Sequence, residues 1–245
     1  MKALLLALTL VVAGPLAALA QQNQPIYPVY DGFLKNPDGS YTLSFAYFSH
    51  NADRVTIAPG AGNSFGPTPG DRMQPTTFKP GHWRFQCVMV VPSDFDGKMK
   101  WTLTHGGTTT GTSERMLQSN WNLVEGATQL AKIDYARVPK GVCLNQPPIV
   151  RVLGVTSRPN NPATLSVAAN EELNLFGSAH DEGLPRGKGL TVEWKVLNGP
   201  GDVKFTIPGS ARTKAIFPSP GLYELELTAT DSEFAQRTRL NVTVK

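Results

Sequence analysis

Short runs in which large and small residues alternate, separated by turns rich in Gly and Pro, dominate this sequence. In Tyr41–Phe48 the larger side chains come at every second position: Tyr41, Leu43, Phe45 and Tyr47. A period of two residues indicates a strand with one buried face. Of the 245 residues, 23 are Gly and 20 are Pro, about 18% against a usual total of about 12%. Because turns at this density leave room only for short elements, the sequence predicts an all-β protein.

The first twenty residues have the pattern of a cleaved secretory signal. Lys2 precedes the apolar run Ala3–Ala13, a Gly-Pro pair follows, and small residues close the segment at Ala18–Ala20. A membrane anchor needs about twenty uninterrupted apolar residues, and neither this segment nor any later stretch supplies them. We therefore expect cleavage before Gln21 and export to the periplasm or the extracellular space, with no integral membrane segment in the mature chain.

The charge of the chain is modest and scattered. Charged residues make up 17% of the sequence and the formal net charge is +4, which excludes a disordered polyelectrolyte. The basic residues form no run and no recognition-helix pattern, which argues against a nucleic-acid partner. In an exported protein this charge favours solubility and loose attraction to anionic surfaces.

Two regions rich in strand patterns lie on either side of an irregular segment, which predicts two β-sandwich domains in tandem. The assigned segments are a signal peptide at 1–20, an N-terminal β-sandwich-like domain of about six strands at 21–124, an irregular linker at 125–147 and a second sandwich at 148–245. Glu125–Ala136 within the linker has a weak helical pattern. Pro147-Pro148 marks the second boundary, because paired prolines continue neither a helix nor a strand.

One long segment of the first domain, Pro59–Gly81, has no strand pattern and contains five Pro and five Gly. An irregular loop of this length is uncommon inside a compact domain and is often functional. Because connections carry function on rigid sandwiches, we predict that recognition uses this loop or an exposed sheet edge.

The strand patterns of the second domain come at the spacing of an immunoglobulin-like sandwich. They are Ile149–Val155, Ala163–Val167, Glu172–Phe176, Thr191–Leu197, Val203–Ile207, Lys214–Phe217, Gly221–Asp231 and Arg237–Val244. Trp194 lies in an alternating strand, where a sandwich core needs its largest side chain. Tyr223 follows a Pro-Gly turn and is placed for a tyrosine-corner hydrogen bond. Both residues are predicted to be structural.

Five elements of this region, in order, resemble the PKD-type immunoglobulin-like domain. They are Leu175–Gly183, Leu190–Trp194, Leu197–Gly201, Ala215–Asp231 and Leu240–Val244. The resemblance covers about Pro147 to Lys245 and implies a spacer or adhesive module rather than an enzyme. The chain departs from the family at Pro185–Gly189, which lengthens the loop after Asp181 and puts the family's calcium site in doubt.

The acidic residues that could form such a site are Asp181, Glu182 and Asp231, at one end of the second sandwich. Calcium takes six to eight oxygen ligands, and two or three carboxylates are a small part of that set. We therefore assign no metal site, and calcium binding near Asp181 and Asp231 stays open.

The two cysteines, Cys87 in a predicted strand and Cys143 in the linker, have no metal-type partners. An even number of cysteines in an exported protein is usually oxidised. We predict a Cys87–Cys143 disulfide that ties the linker to the first domain.

Catalytic patterns are absent from the sequence. The histidines share no metal-type spacing; they are His50, His82, His105 and His180. Gly62–Gly66 resembles a nucleophile elbow only superficially, and no phosphate-binding loop is present. We assign no catalytic residue, no cofactor and no cofactor-binding residue.

Aromatic residues offer one alternative, a platform for sugar rings formed by Tyr47, Trp83, Trp101 and Trp121. Our interpretation is an exported, non-enzymatic bacterial protein that acts as a binding, adhesion or spacer module at the cell surface or in the periplasm. Its partner is an unidentified protein or polysaccharide. The alternatives are a carbohydrate-binding accessory module and, less favoured, a hydrolase.

Overall fold

The computed structural model describes residues 23–123, 130–156 and 161–245, and these residues form an almost entirely β protein. The predicted all-β class is confirmed. The predicted signal peptide lies outside the described residues. Within the described ranges, no helix has the length and apolar character needed to cross a bilayer.

The first unit, residues 23–146 as described, contains eight strands. They are β1 (Ile26–Lys35), β2 (Tyr41–Ser49), β3 (Val55–Thr56), β4 (Asn63–Gly66), β5 (Thr77–Phe78), β6 (Gly81–Val91), β7 (Lys100–His105) and β8 (Thr108–Gly111). Strands β1, β2 and β6 form one sheet, β4, β7 and β8 form a second, and β3 pairs with β5. The prediction of about six strands was too low, because β4 and β5 lie within the Gly- and Pro-rich Pro59–Gly81 segment.

This segment belongs to the hydrophobic core of the first unit. Phe65 of β4 and Phe78 of β5 are buried, and the Phe65 ring stacks on Trp101 with its centroid 5.6 Å away. The Trp101 indole nitrogen donates a hydrogen bond to the Asn63 side-chain oxygen at 2.9 Å. The expectation of an irregular loop is therefore wrong for these strands, since long-range packing orders them.

The second unit, residues 147–245 as described, contains the other eight strands. They are β9 (Ile149–Val152), β10 (Ala163–Val167), β11 (Glu172–His180), β12 (Thr191–Asn198), β13 (Lys204–Phe205), β14 (Arg212–Ile216), β15 (Gly221–Thr230) and β16 (Ala235–Val244). They form two four-stranded sheets, ordered β10-β16-β15-β12 and β13-β14-β11-β9. A separate cluster of buried apolar residues lies between the sheets.

Trp194 and Tyr223 have the predicted structural roles in this second core. Trp194 is 2% exposed, and its indole nitrogen donates to the Ala211 carbonyl at 3.1 Å. The Tyr223 hydroxyl donates to the Ser219 carbonyl at 3.0 Å, which is the hydrogen bond of a tyrosine corner. Both large side chains are thus buried with their polar atoms paired, as a sandwich core requires.

The segment between the two units is attached to the first one. Cys143 forms a disulfide with Cys87 of β6. The amides of Gly141 and Leu144 donate to the carbonyls of Val90 and Val88, each at 2.7 Å. Residues 141–144 therefore run along β6, and the predicted linker is ordered there. Over Glu125–Ala136 the described residues form a single 3-10 turn, Leu130–Lys132, while residues 124–129 lie outside the description.

Candidate functional site

The two units meet where β11 ends. We predicted that this strand stops at Phe176, but it continues to His180 because residues 177–180 pair with β9. His180 is 2% exposed and lies against the first unit. Its Nε2 is 2.8 Å from the Gln86 side-chain oxygen, and its ring centroid is 4.0 Å from that of Trp83. The extension of β11 thus brings an imidazole into the inter-unit contact.

Burial decides the protonation of His180. It lowers the pKa of the imidazole to about 3, and the positive charges of Lys79 and Arg54 lower it further. The Gln86 amide nitrogen donates to the Arg84 carbonyl, which leaves its oxygen as acceptor. The neutral ring therefore carries its hydrogen on Nε2 and donates it to Gln86. Such a histidine serves as a structural bridge.

Lys79 adds a second polar contact between the units. Its Nζ donates to the Ala179 carbonyl at 2.5 Å and lies 5.7 Å from the centre of the Trp83 ring. Burial, together with the charge of Arg54, lowers the pKa of this amine to about 8. A β11 carbonyl is thus satisfied by a side chain of the first unit.

The β11–β12 loop of the second unit docks on the Pro59–Gly81 segment of the first. Leu184 is 3% exposed and belongs to the core cluster of the first unit. Arg186 donates to both carboxylate oxygens of Asp71, at 2.6 and 2.7 Å, and this pairing lowers the pKa of Asp71. The two segments that stood out in the sequence, Pro59–Gly81 and Pro185–Gly189, therefore contact each other.

Buried carboxyl groups lie beside this loop. Glu182 is 3% exposed and accepts a hydrogen bond from the Gln146 amide at 2.8 Å. Burial, and then the charge of Asp181, raise the pKa of Glu182 to about 8. Burial raises the pKa of Asp181 to about 6, with Asp231 adding repulsion. Glu182 is therefore largely neutral at pH 7.

Backbone amides hold two of the carboxyl groups at this end of the second unit. Asp181 accepts a hydrogen bond from the Gly183 amide, and one oxygen of Asp231 accepts from the amides of Glu233 and Phe234. Across the described residues, no group of three or more His, Cys, Asp or Glu side chains could hold a metal ion.

A cleft of about 620 Å³ opens between the units, beside His180 and Glu182. Its apolar wall contains Phe85, Ile149 and Phe234. Among the described residues that line it, there is no serine, threonine or cysteine to serve as a nucleophile. Two polar contacts in its lining join the units, His180 with Gln86 and Glu182 with Gln146.

The predicted aromatic platform is not formed. Tyr47 and Trp101 are fully buried in the first core. Trp83 is partly buried against His180, and Trp121 packs against the first core cluster. The alternation of β2 and β7 turns Tyr47 and Trp101 inward, so they present no surface to a sugar.

Sequence reasoning missed the inter-unit residues, among them Asp71, Lys79, Gln86, His180, Leu184 and Arg186. The one sequence feature that pointed to this contact is the lengthened Pro185–Gly189 segment, because an insertion relative to the family pattern indicates a local structural role. The sequence does not state which surface such an insertion contacts.

Residues 163–244 match the family model described as "K319L-like, PKD domain". Among solved structures, the PKD domain of human KIAA0319 is 21% identical, covers 38% of this chain and 90% of its own, and has a TM-score of 0.25. A nucleoside hydrolase-related hypothetical protein from Saccharophagus degradans is 19% identical over 56% of this chain, with a TM-score of 0.36. This chain spans only 35% of that protein's length. A Drosophila N-cadherin fragment, EC1-4, is 13% identical over 90% of this chain and 51% of its own, with a TM-score of 0.31.

Proposed function

We propose that this chain, whose residues 163–244 are a PKD-type domain, is an exported, non-enzymatic module that holds two β units at a fixed angle. It acts as a binding, adhesion or spacer element at the cell surface or in the periplasm. The observation that carries the proposal is the built interface between the units, in which His180 and Leu184 of the second unit are buried against the first.

The connection between the units favours rigidity as well. Leu144 is hydrogen-bonded to β6 and β9 begins at Ile149, so only residues 145–148 join the units. Pro147 and Pro148 lie within that stretch and restrict its backbone. A short proline-containing connection and a buried contact together hold the second unit in one orientation.

Two features support export. The first twenty residues carry the secretory pattern described above. The disulfide between Cys87 and Cys143 belongs to an oxidising compartment, since cytosolic thiols are kept reduced.

The interface also supports a non-catalytic role. Three of its titratable side chains make inter-unit hydrogen bonds: Lys79 with Ala179, His180 with Gln86 and Glu182 with Gln146. A group engaged in this way is not presented to a substrate.

The experiment is an inter-unit distance measurement by pulsed electron paramagnetic resonance. Spin labels go on the exposed positions Ser93 and Ser166, introduced as Ser93→Cys and Ser166→Cys in the oxidised full chain. A single narrow distance distribution is expected. Leu184→Asn combined with Arg186→Ala should broaden it, because these side chains make the docking contact.

The matched control is Lys100→Ala, which removes an ion pair lying wholly within the first unit and should leave the distribution unchanged. A distribution that is already broad in the parent protein would contradict a fixed angle. For export, the secreted or periplasmic fraction should contain the protein starting at Gln21; retention in the cytosol would contradict that part.

A further inference from the structure

One face of the second unit exposes an aromatic ring in a row with other side chains. Phe176 of β11 is 53% exposed and Leu153 is 41% exposed. The Leu153 amide donates to the Phe176 carbonyl at 2.7 Å, so these residues are neighbours. On the other side, Arg212 of β14 is the register partner of Phe176. Residues opposite each other in a sheet project from the same face, so Leu153, Phe176 and Arg212 form one row.

Three more basic residues project from the same face. Arg151 pairs with Ser178 and Lys214 pairs with Asn174, and both partners lie two residues from Phe176 along β11. Lys204 of β13 pairs with Ile216, two residues beyond Lys214. Positions two apart share a face of a strand. We call the set of Arg151, Leu153, Phe176, Lys204, Arg212 and Lys214 the basic face; its four basic side chains belong to exposed residues.

The positive charge of the basic face is largely uncompensated. Its acidic neighbour Glu172 is paired with Lys214 at 2.7 Å. Arg151, Lys204 and Arg212 have no acidic side chain within ion-pair distance among the described residues.

The opposite sheet of the same unit shows the contrast. There Arg237 and Arg239 lie 3.8 and 3.0 Å from Glu226 and Glu224, and the exposed apolar residues, among them Leu197 and Leu222, are aliphatic. The excess of unpaired cations around an aromatic ring is therefore a property of one sheet face.

We propose that the basic face binds an anionic polysaccharide, which deepens the binding role proposed above and rests on it. Arg151, Lys204 and Arg212 contact carboxylate or sulfate groups, and arginine matches either group with two parallel hydrogen bonds. The Phe176 ring packs against the apolar face of a sugar ring.

The layout of the face favours a chain-like anion over a membrane. Adjacent strands are about 4.8 Å apart, so the cations of β9, β14 and β13 are spread across the sheet, where a polymer with repeated anionic groups can contact them in succession. The apolar part consists of Phe176 and Leu153, each about half covered, whereas a membrane-binding surface buries a broad apolar stripe.

The test is isothermal titration of the oxidised full chain with three polymers: dextran sulfate, polygalacturonate and neutral dextran. We expect binding to one or both polyanions and none to dextran. The affinity should fall as sodium chloride rises, because binding releases counterions. Binding to dextran sulfate alone identifies sulfate as the anionic group, and binding to polygalacturonate alone identifies carboxylate.

Two variants locate the site. Arg212→Gln should weaken binding on the order of tenfold and reduce its salt dependence. Phe176→Ala should weaken binding at every salt concentration and leave the salt dependence unchanged. Their matched controls on the opposite sheet, Arg237→Gln and Leu222→Ala, should bind like the parent. All four side chains are on exposed residues, so thermal unfolding should show each variant folded.

Several results would overturn the proposal. They are no binding to either polyanion, equal binding to dextran and to the polyanions, or equal binding by the variants and their controls. The inter-unit distance is measured in the same variants. A narrow distance with no polyanion binding defeats only this inference, whereas a broad distance with Phe176-dependent binding defeats only the fixed angle.

Discussion

Arg186 of the second unit donates two hydrogen bonds to the carboxylate of Asp71 in the first, although 115 residues separate them in sequence. The Arg186 side chain is 28% exposed and that of Asp71 is 50% exposed, so solvent weakens their attraction. This ion pair therefore contributes to the orientation of the units more than to the free energy of unfolding.

A double-mutant cycle of Arg186→Ala and Asp71→Ala should give a coupling energy of about 1 kcal/mol or less, decreasing with added salt. The measurement is urea unfolding followed by fluorescence. The pair Lys100–Glu114, which is more exposed and lies within one unit, should give a smaller coupling. A coupling for Arg186 and Asp71 that does not respond to salt would contradict an electrostatic contact.

Replacing Cys87 and Cys143 together by Ala should destabilise the first unit by about 4 kcal/mol, because the disulfide closes a loop spanning 56 residues and restricts the unfolded chain. Equilibrium unfolding of the variant against the oxidised parent measures the effect. Dithiothreitol should destabilise the parent and leave the variant unchanged; titratable thiols in the native oxidised parent would contradict the pairing.

Trp194→Ala should destabilise the second unit by about 3–5 kcal/mol, as a large deletion from a packed core does. Trp194 is 2% exposed, and its indole nitrogen also pairs with Ala211. Leu222→Ala on the same unit, where the side chain is 60% exposed, is the control and should change stability by about 0.5 kcal/mol or less. Thermal unfolding compares them; equal effects would place Trp194 outside the core.

Glu182→Gln should change the pH dependence of stability in a defined direction. Burial raises the pKa of Glu182 from 4.5 to about 8, so the folded protein binds a proton that the unfolded chain releases. The contribution of Glu182 to the free energy of unfolding is therefore fully present below pH 4.5 and is lost as the pH rises to about 8. Gln keeps a neutral acceptor for the Gln146 amide, so the variant should lack this loss.

The measurement is unfolding of parent and variant by urea at pH 5, 7 and 9. The free energy of unfolding of the variant, relative to that of the parent, should increase as the pH rises. Asp231→Asn is a useful comparison, because it removes one of the charges that raise the pKa of Glu182. In that variant the pKa of Glu182 should fall, so the pH-dependent loss of stability should be smaller and complete at a lower pH than in the parent. A difference between Glu182→Gln and parent that is constant with pH would show that Glu182 is ionised in the folded protein.

Sequence patterns predicted the features that depend on residues close in sequence, such as strands, or that recur within a known domain family. Alternation located β2 and β7 and assigned Trp194 to the second core, the spacing of strand patterns located β10, and a Pro-Gly turn placed Tyr223 at a tyrosine corner. The PKD-type resemblance agrees with the family match over residues 163–244. The disulfide followed from cysteine chemistry together with the prediction of export, and the distance between the cysteine Cα atoms, 4.8 Å, is ordinary for such a bond.

Only the tertiary structure decided the contact between the units and the character of their surfaces. The sequence does not indicate that Pro59–Gly81 and Pro185–Gly189 contact each other. In the structure, however, Leu184 packs in the first core and Arg186 donates to Asp71. The same alternation buries Tyr47 and exposes Phe176, because a two-residue period shows that a strand has two faces but not what covers each one. Which face is covered depends on the stacking of sheets and units that are distant in the chain, and a sequence pattern carries no information about that stacking.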